Sequence, residues 1–175
     1  MKRIIVKTPR LVLKRFSLRD AAGFYELNAD PEVLRFTGDV PFASVVEARN
    51  FIRAYSHYEQ YGFGRWSVHR IDTKEYVGFC GLNFSASKKE VDLGFRFQQR
   101  FWGQGYATEA GFAALRIGFS TYGLEKIVGR AMKENAASMH VLEKLGMTYE
   151  KEFEEDGRRW VQLSILRDDF GSFYE

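Results

Sequence analysis

The stretch from residue 65 to residue 97 most constrains the fold, because it reads as three strands joined by turns too short to hold a helix. The runs Arg65 to Ile71, Tyr76 to Asn83 and Glu90 to Phe97 are largely apolar, and short polar segments separate them. Hairpin connections of this kind join antiparallel neighbours, whereas parallel strands need a crossover of about a dozen residues or more. The sequence therefore predicts a mixed α/β protein and not a strictly alternating, doubly wound sheet.

Further elements are predicted on both sides of these strands. Ser17 and Asp20 have the spacing of a capping box, which predicts that a helix begins there. The predicted elements are a strand over 11–16, helices over 17–29, 44–60, 105–122 and 136–145, and strands over 127–132 and 161–166. Gly146 is suited to end the last helix. Aromatic residues at helical spacing, Phe51, Tyr55 and Tyr58, indicate packing.

Composition limits the class of protein. A chain of 175 residues with 45% hydrophobic residues predicts one domain over 1–175. The net charge of +3 is too small to indicate nucleic-acid binding. Cys80, the single cysteine, lies in an apolar run, which favours a buried, inert thiol over a nucleophile. With no signal-like segment and no apolar run near the ~18 residues of a membrane span, the sequence predicts a cytoplasmic protein.

The segment from Arg100 to Glu109 carries the strongest chemical signal, since it follows a predicted strand and opens a predicted helix. Glycines at Gly103 and Gly105 let a ligand approach the main chain, and the first N–H groups of a helix lack intrahelical partners. Together they suit a pyrophosphate. An ordinary turn capped by its own side chains is the alternative. The segment lacks the lysine of a P-loop, and Thr108 replaces the third glycine of a dinucleotide fingerprint.

Two motifs resemble one known family. Arg100-Phe101-Trp102-Gly103-Gln104-Gly105 matches the Gln/Arg-x-x-Gly-x-Gly/Ala signature of the GNAT superfamily of acetyl-CoA-dependent N-acetyltransferases. Its continuation to Ala110, together with Asn135-Ala136-Ala137-Ser138 and the stretch 141–147, resembles the branch of ribosomal-protein N-terminal acetyltransferases. The resemblance covers a core of about 8–170. It implies an α+β fold with a mixed, mostly antiparallel sheet flanked by helices and a splayed central strand pair.

The resemblance also implies how acetyl-CoA is held. Main-chain N–H groups at the signature would bind the pyrophosphate, and the preceding strand would pair with the pantetheine amides. The residues implied in cofactor binding are Phe95, Arg96, Phe97, Arg100, Trp102, Gly103, Gln104, Gly105, Tyr106, Ala107, Thr108, Asn135, Ser138 and Lys144. An N–H near Phe97 or Gln98 would polarise the thioester carbonyl. No metal is expected.

Several of these positions have a second interpretation. Arg100 either adds charge beside the phosphates or is a solvated surface residue. Asn135 either caps a helix or contacts pantetheine, and the two roles are compatible. Ser138 is either a polar first-turn residue or the donor that protonates the departing thiolate. Lys144 either reaches the adenosine phosphates or is an exposed helix lysine.

The catalytic groups are less well defined by sequence. Asp92 is the first candidate for the base that deprotonates the acceptor amine, and a salt bridge is its alternative role. Glu26 and Glu59 lie on helices expected to border the acceptor pocket. Many family members carry a tyrosine acid seven residues after the motif asparagine, but Leu142 stands here. That route is therefore excluded.

The acceptor is expected to be a primary amine, and the branch resemblance implies the N-terminal α-amine of a ribosomal or other protein. The helices over 20–29 and 44–60 are expected to shape its pocket, and Phe24, Tyr25, Tyr55 and Tyr58 are available to line it. An amino acid, amino sugar or antibiotic remains an alternative acceptor, and a non-catalytic acyl-CoA sensor is an alternative function. Neither a membrane nor a nucleic acid is an expected partner, and the chain is expected to be a monomer or a homodimer.

Overall fold

The computed structural model describes residues 3–173 and contains one eight-stranded sheet flanked by helices. The strands lie in the order β1-β2-β3-β4-β5-β6-β8-β7, and every neighbouring pair is antiparallel except β5 and β6. The strands are β1 Ile4–Lys7, β2 Leu11–Lys14, β3 Arg65–Arg70, β4 Tyr76–Ser85, β5 Glu90–Phe97, β6 Lys126–Met132, β7 Thr148–Glu155 and β8 Arg158–Leu166. The helices are α1 Ala21–Ala29, α2 Pro31–Leu34, α3 Val45–Ala54, α4 His57–Tyr61, α5 Tyr106–Ser120, α6 Ala136–Lys144 and α7 Arg167–Phe173.

This architecture confirms the predicted α+β fold, including the meander over β3, β4 and β5. The prediction of one helix over 44–60 is wrong, because Tyr55 leaves the helical conformation (φ −72°, ψ 101°) and separates α3 from α4. Both tyrosine hydroxyls of this region bond the main chain of Arg65: Tyr55 accepts its N–H at 2.8 Å, and Tyr58 donates to its carbonyl. These tertiary bonds outweigh helix continuity. The bounds predicted from the sequence also include no strand at β1 or β7 and no helix at α2 or α7.

The two faces of β5 have different neighbours. The odd-numbered side chains Leu93 and Phe97 lie in the main core, which also contains Ala110 and Leu115 of α5. The even-numbered side chains point to the other face, where Arg96 contacts Asn28 of α1. Since successive side chains of a strand alternate, β5 separates a face packed by α5 from a face bordered by α1.

The parallel pair β5 and β6 separates soon after it forms. The two strands are paired only at Asp92 with Val128 and at Leu93 with Gly129, so the rest of β5 turns away from β6 within the described residues 3–173. On its other side β5 stays paired with β4 as far as Phe97, opposite Gly78. A Cβ at Gly78 would lie 2.1 Å from the Arg96 carbonyl oxygen, so this close pairing requires glycine. The result is a gap between β5 and β6.

A buried polar cluster anchors the start of α1 to the sheet. The predicted capping box is confirmed, with the Asp20 carboxylate accepting the Ser17 main-chain N–H at 3.0 Å. The same carboxylate accepts the Ser67 hydroxyl at 2.8 Å and lies 3.0 Å from His69 Nε2. Asp20 is only 6% exposed. Burial alone would raise the pKa of Asp20, but the bonds from His69, Ser67 and Ser17 lower it below its ordinary value.

Candidate active site

The glycine-containing loop between β5 and α5 has the backbone geometry that the motif predicts. Gly103 and Gly105 adopt positive φ angles of 70° and 79°, and a single 3₁₀ turn over 99–101 precedes them. These angles lie in the left-handed region, where a residue without Cβ is favoured. Gly105 is the N-cap of α5 and therefore supplies no side-chain cap. The alternative was a turn capped by its own side chains. The Gln104 side chain does donate to the Arg100 carbonyl at 3.0 Å within the loop, but the N-cap of α5 has no side-chain hydrogen bond.

The open end of α5 faces the gap between the strands. The first helical hydrogen bond runs from the Glu109 N–H to the Gly105 carbonyl at 3.0 Å, so the N–H groups of Tyr106, Ala107 and Thr108 precede the helical ladder. Because β5 and β6 are parallel, the segments that follow them begin at the same edge of the sheet. The loop before α5 and the start of α6 therefore flank one crevice, which is where α/β sheets bind ligands.

The main chain of β5 offers hydrogen-bonding groups to this gap. The Gln98 N–H donates to the Val77 carbonyl of β4 at 2.9 Å, so it is not available to a thioester. In an antiparallel ladder alternate residues bond the same neighbour, so the N–H groups of Phe95 and Phe97 point away from β4. The Phe97 carbonyl accepts the Trp102 indole N–H at 2.8 Å. Of the two predicted thioester donors, Phe97 alone has a suitably directed N–H.

The start of α6 brings Asn135 and Ser138 together. The Asn135 carboxamide oxygen accepts the Ser138 main-chain N–H at 3.1 Å, which is the N-cap bond. Its Nδ2 donates to the Ser138 hydroxyl oxygen at 2.9 Å. With its oxygen accepting this bond, the Ser138 hydroxyl can direct its hydrogen to another group. Both side chains are half-buried at the end of the crevice that follows β6.

Lys144 and Arg100 lie in different surroundings. Lys144 lines a groove of ≈ 580 Å³ together with Thr108 and Phe112 of α5, so it lies beside the open helix end. The Arg100 side chain is 59% exposed, lies 3.8 Å from a Glu75 carboxylate oxygen, and donates to the Gln98 side chain at 3.2 Å. The structure thus places Lys144 near the predicted phosphate site, whereas the Arg100 guanidinium contacts the side chains of Glu75 and Gln98.

Sequence reasoning missed Arg10, whose side chain contacts both the glycine-containing loop and the first turn of α5. Its guanidinium donates to the Gln104 carbonyl at 2.8 Å, pairs with the Glu109 carboxylate at 2.6 Å and lies over the Tyr106 ring. Arg10 lies in the segment Thr8-Pro9-Arg10, and no acidic residue stands near it in the sequence to indicate an ion pair. Arg10 and Glu109 are separated by 99 positions, so only the folded chain shows the pair.

On the other face of β5, Asp92 pairs with Arg65. Both Asp92 carboxylate oxygens accept from one Arg65 nitrogen, at 3.0 and 3.3 Å, and the second terminal nitrogen donates to the Asp92 carbonyl at 3.0 Å. The Arg65 guanidinium lies across Gly94, where a Cβ would approach it to 2.4 Å. The ion pair that was the alternative role of Asp92 is therefore present.

A second guanidinium lies further along the same face. Arg96 donates to the Asn28 carboxamide oxygen at 2.5 Å and to the Asp39 carboxylate at 2.7 Å. Two arginines, each with a carboxylate partner, thus lie where β5 departs from β6. By contrast, Phe24 and Tyr58, two of the aromatic residues available to line an acceptor pocket, are 4% and 7% exposed.

The comparisons with known proteins match this geometry. Residues 10–148 match the family model described as acetyltransferase (GNAT) domain. The chain is 31% identical over 148 residues to the uncharacterized N-acetyltransferase YoaA of Bacillus subtilis, covering 83% of this chain and 84% of that protein. A crystal structure of a GNAT-family acetyltransferase from Bacillus anthracis superposes with a TM-score of 0.81 at 25% identity, covering 93% of this chain and 98% of the other.

The chain belongs to the GNAT acetyltransferase family. It is accordingly an acyltransferase, and GNAT enzymes use acetyl-CoA as the co-substrate. The spermidine N-acetyltransferase of Vibrio cholerae, solved with CoA and spermine, has a TM-score of 0.78 at 19% identity and covers 93% of this chain and 99% of its own. A Vibrio cholerae protein named as a candidate ribosomal-protein-serine acetyltransferase has a TM-score of 0.74 at 23% identity, with 93% and 97% coverage. Both share the fold.

Other reactive side chains of this GNAT domain are buried or hydrogen-bonded to the main chain. Cys80 is fully buried, and burial raises the pKa of its thiol to about 12. His57 accepts the Phe84 main-chain N–H at 2.9 Å, and Leu142 is 1% exposed in the core. Over residues 3–173, no group of three or more His, Cys, Asp or Glu is arranged to hold a metal ion. Within the same range, no helix is long and apolar enough to cross a membrane.

Proposed function

We propose that this GNAT enzyme transfers the acetyl group of acetyl-CoA to the N-terminal α-amine of a protein or peptide, by direct attack in a ternary complex. The observation that carries the proposal is the uncapped start of α5 beside the gap between β5 and β6. Its N–H groups suit the pyrophosphate, and the gap suits the pantetheine arm. The choice of acceptor rests on the resemblance of the two motifs to the ribosomal-protein branch.

The cofactor's proposed position follows the crevice from one end to the other. The loop and helix start from Trp102 to Thr108 would bind the pyrophosphate, with Lys144 beside the adenosine phosphates. The main chain over 95–97 would pair with pantetheine, and the Asn135 side chain would contact it from the other strand. The Arg96 and Phe97 side chains are engaged elsewhere, so only their main chain serves. Arg100 is also a proposed phosphate contact, for which its guanidinium has to move away from the Glu75 carboxylate.

The proposed reaction is acyl transfer without a covalent enzyme intermediate. The neutral amine nitrogen forms a bond to the thioester carbon, and the Phe97 N–H stabilises the negative charge that develops on the carbonyl oxygen. The carbon–sulfur bond then breaks, and the thiolate takes a proton from the Ser138 hydroxyl, which solvent restores. A proton must also leave the amine nitrogen.

Asp92 is the proposed final acceptor of that amine proton, reached through water. Its carboxylate is held in place by Arg65, whose guanidinium lies 3.0 Å from it. When thiol release from acetyl-CoA is followed with an acceptor peptide, Asp92→Asn should lower kcat while the affinity for acetyl-CoA is retained.

Replacing Ser138 tests the proposed thiolate acid. Ser138→Ala is expected to lower kcat by about 10- to 100-fold, the scale of a general acid, with acetyl-CoA affinity nearly unchanged. Ser138→Thr keeps the hydroxyl and should recover most of the rate. Stopped-flow thiol release and calorimetric titration measure the two quantities. Equal rates for the alanine variant and the parent enzyme would remove Ser138 from the mechanism.

The acceptor is proposed to approach the face of β5 that α1 borders. The charges on this face favour a monoamine over a polyamine. Arg65 and Arg96 lie there, and the carboxylates in contact with them, Asp92 and Asp39, are thereby paired. Each additional ammonium group of a polyamine needs a free carboxylate to offset its desolvation. A peptide N-terminus brings one amine and neutral main-chain groups. Amino acids, amino sugars and antibiotics with one reactive amine remain the second class of acceptor.

An acceptor screen tests the proposed function. Thiol release from acetyl-CoA would be followed with peptides carrying free N-termini, the same peptides with blocked N-termini, spermidine and aminoglycosides. We expect turnover with free N-termini and none with the blocked controls or spermidine. Preferred turnover of spermidine would overturn the acceptor assignment. Cofactor binding without thiol release from any amine would instead favour a non-catalytic acyl-CoA sensor.

A further inference from the structure

We propose that Arg10 is a positioning residue for acetyl-CoA, which neutralises Glu109 and holds the glycine-containing loop in its binding conformation. The proposal rests on the assignment of the α5 start as the diphosphate site. No part of the signature itself contains Arg10, which lies on the turn between β1 and β2. Thr8, Arg10 and Glu109 together form a hydrogen-bonded unit, the clamp.

The contacts of the clamp join three separate segments. One Glu109 carboxylate oxygen accepts the Thr8 hydroxyl at 2.6 Å and the Arg10 main-chain N–H at 2.9 Å, and the other accepts Arg10 Nε at 2.6 Å. Arg10 also donates to the Gln104 carbonyl at 2.8 Å, inside the loop that connects β5 to α5. Its other terminal nitrogen lies 3.4 Å from where a Cβ of Gly105 would be. The clamp therefore touches the loop and the helix together.

The position of Glu109 explains why an arginine is needed. Glu109 lies in the first turn of α5, within about 5 Å along the axis of the N–H groups that would hold the diphosphate. A carboxylate near a helix start stabilises the free helix, but it also repels a second anion at the same place. The bonds from Thr8 and Arg10 lower the pKa of Glu109 against the opposing effect of burial, so it stays charged. Arg10 cancels that charge.

A purely structural role for the clamp makes a different prediction from an electrostatic one. If Arg10 only stabilises the fold, removing Glu109 as well adds damage or changes nothing. If Arg10 shields the diphosphate from Glu109, removing the carboxylate relieves the defect. The sign of the second substitution therefore separates the two roles, because the repulsion exists only while Glu109 is charged and unpaired.

The test compares acetyl-CoA affinity by calorimetry for the parent enzyme, Arg10→Ala and the double variant Arg10→Ala/Glu109→Gln. We expect Arg10→Ala to bind at least about tenfold more weakly, and the double variant to regain about fivefold or more. The loss in Arg10→Ala should shrink at high ionic strength, since salt screens the repulsion between the Glu109 carboxylate and the diphosphate. Arg10→Lys keeps the charge without the forked geometry and should bind with intermediate affinity.

Controls separate this proposal from its premises. Arg53→Ala removes an exposed arginine at the end of α3, far along the chain from the clamp, and should bind acetyl-CoA like the parent enzyme. Circular dichroism and thermal melting establish that each variant is folded. A parent enzyme that does not bind acetyl-CoA overturns the proposed function itself. A parent that binds, with a double variant as weak as Arg10→Ala, overturns the clamp alone.

Discussion

Gly105→Val is expected to abolish measurable acetyl-CoA binding, weakening it by about 100-fold or more, while the sheet remains folded. Gly105 has a φ of 79°, and a β-branched residue in this left-handed region is strained by about 1–3 kcal/mol. Its side chain would also approach the Arg10 guanidinium, which lies 3.4 Å from the Cβ position. The backbone strain is relieved when the loop moves, and movement turns the N–H groups at the start of α5 away from the diphosphate.

Gly157→Val is the matched control for that substitution. Gly157 has a similar φ of 71°, lies in the turn between β7 and β8, and has no atom near its Cβ position. The same valine should therefore cause similar backbone strain with unchanged acetyl-CoA affinity. Calorimetry gives the affinities, and thermal melting gives the loss of stability. Gly105→Val with parent-like affinity would reject the diphosphate assignment, because the proposed donors all depend on this loop.

Asp20→Asn is expected to cause the largest loss of stability, about 3 kcal/mol at neutral pH. Asp20 is 6% exposed and accepts from Ser17 and Ser67, with His69 at 3.0 Å. An asparagine has the same size, but its NH₂ group replaces one accepting oxygen and leaves a buried donor unpaired. Each buried hydrogen-bonding group left unpaired costs about 1–3 kcal/mol. Urea unfolding followed by circular dichroism measures the change.

The pH dependence of that stability has a definite sign. The pKa of Asp20 is lowered from its ordinary value of 3.8, so the folded state favours the ionised carboxylate. The stabilisation is complete above about pH 4 and is lost as pH falls through the lowered, folded-state pKa. The difference between the parent enzyme and Asp20→Asn should therefore be largest near neutral pH and should narrow below pH 4. A difference that widens on acidification would contradict this assignment.

Asp72→Asn provides the comparison at the surface. Asp72 also pairs with an arginine, Arg70 at 2.5 Å, but its side chain is 63% exposed. Exposed ion pairs contribute little because water and salt screen them. The unfolding midpoint of Asp72→Asn should match that of the parent enzyme. A loss equal to that of Asp20→Asn would show that burial is not the cause of the larger effect.

Local sequence signals predicted most of the elements. The meander, the capping box at Ser17 and Asp20, and the helix end at Gly146 depend on residues within a few positions of one another. The uncapped glycine-containing loop is also local, because positive φ angles at Gly103 and Gly105 follow from the residue type. The break at Tyr55 was not predictable in this way, since the bonds that accompany it come from Arg65 in another element.

Long-range contacts decided the chemistry around the loop. Nothing near Asp92 in the sequence indicates that Arg65 holds its carboxylate, and nothing near Glu109 indicates Arg10. Sequence alone determined the type and order of the central elements and located the glycine-containing helix start, because backbone conformation and hydrophobic periodicity are short-range properties. The tertiary structure alone decided which charges are paired and which main-chain donors face the gap, because electrostatic interactions depend on distance in space and not on separation along the chain.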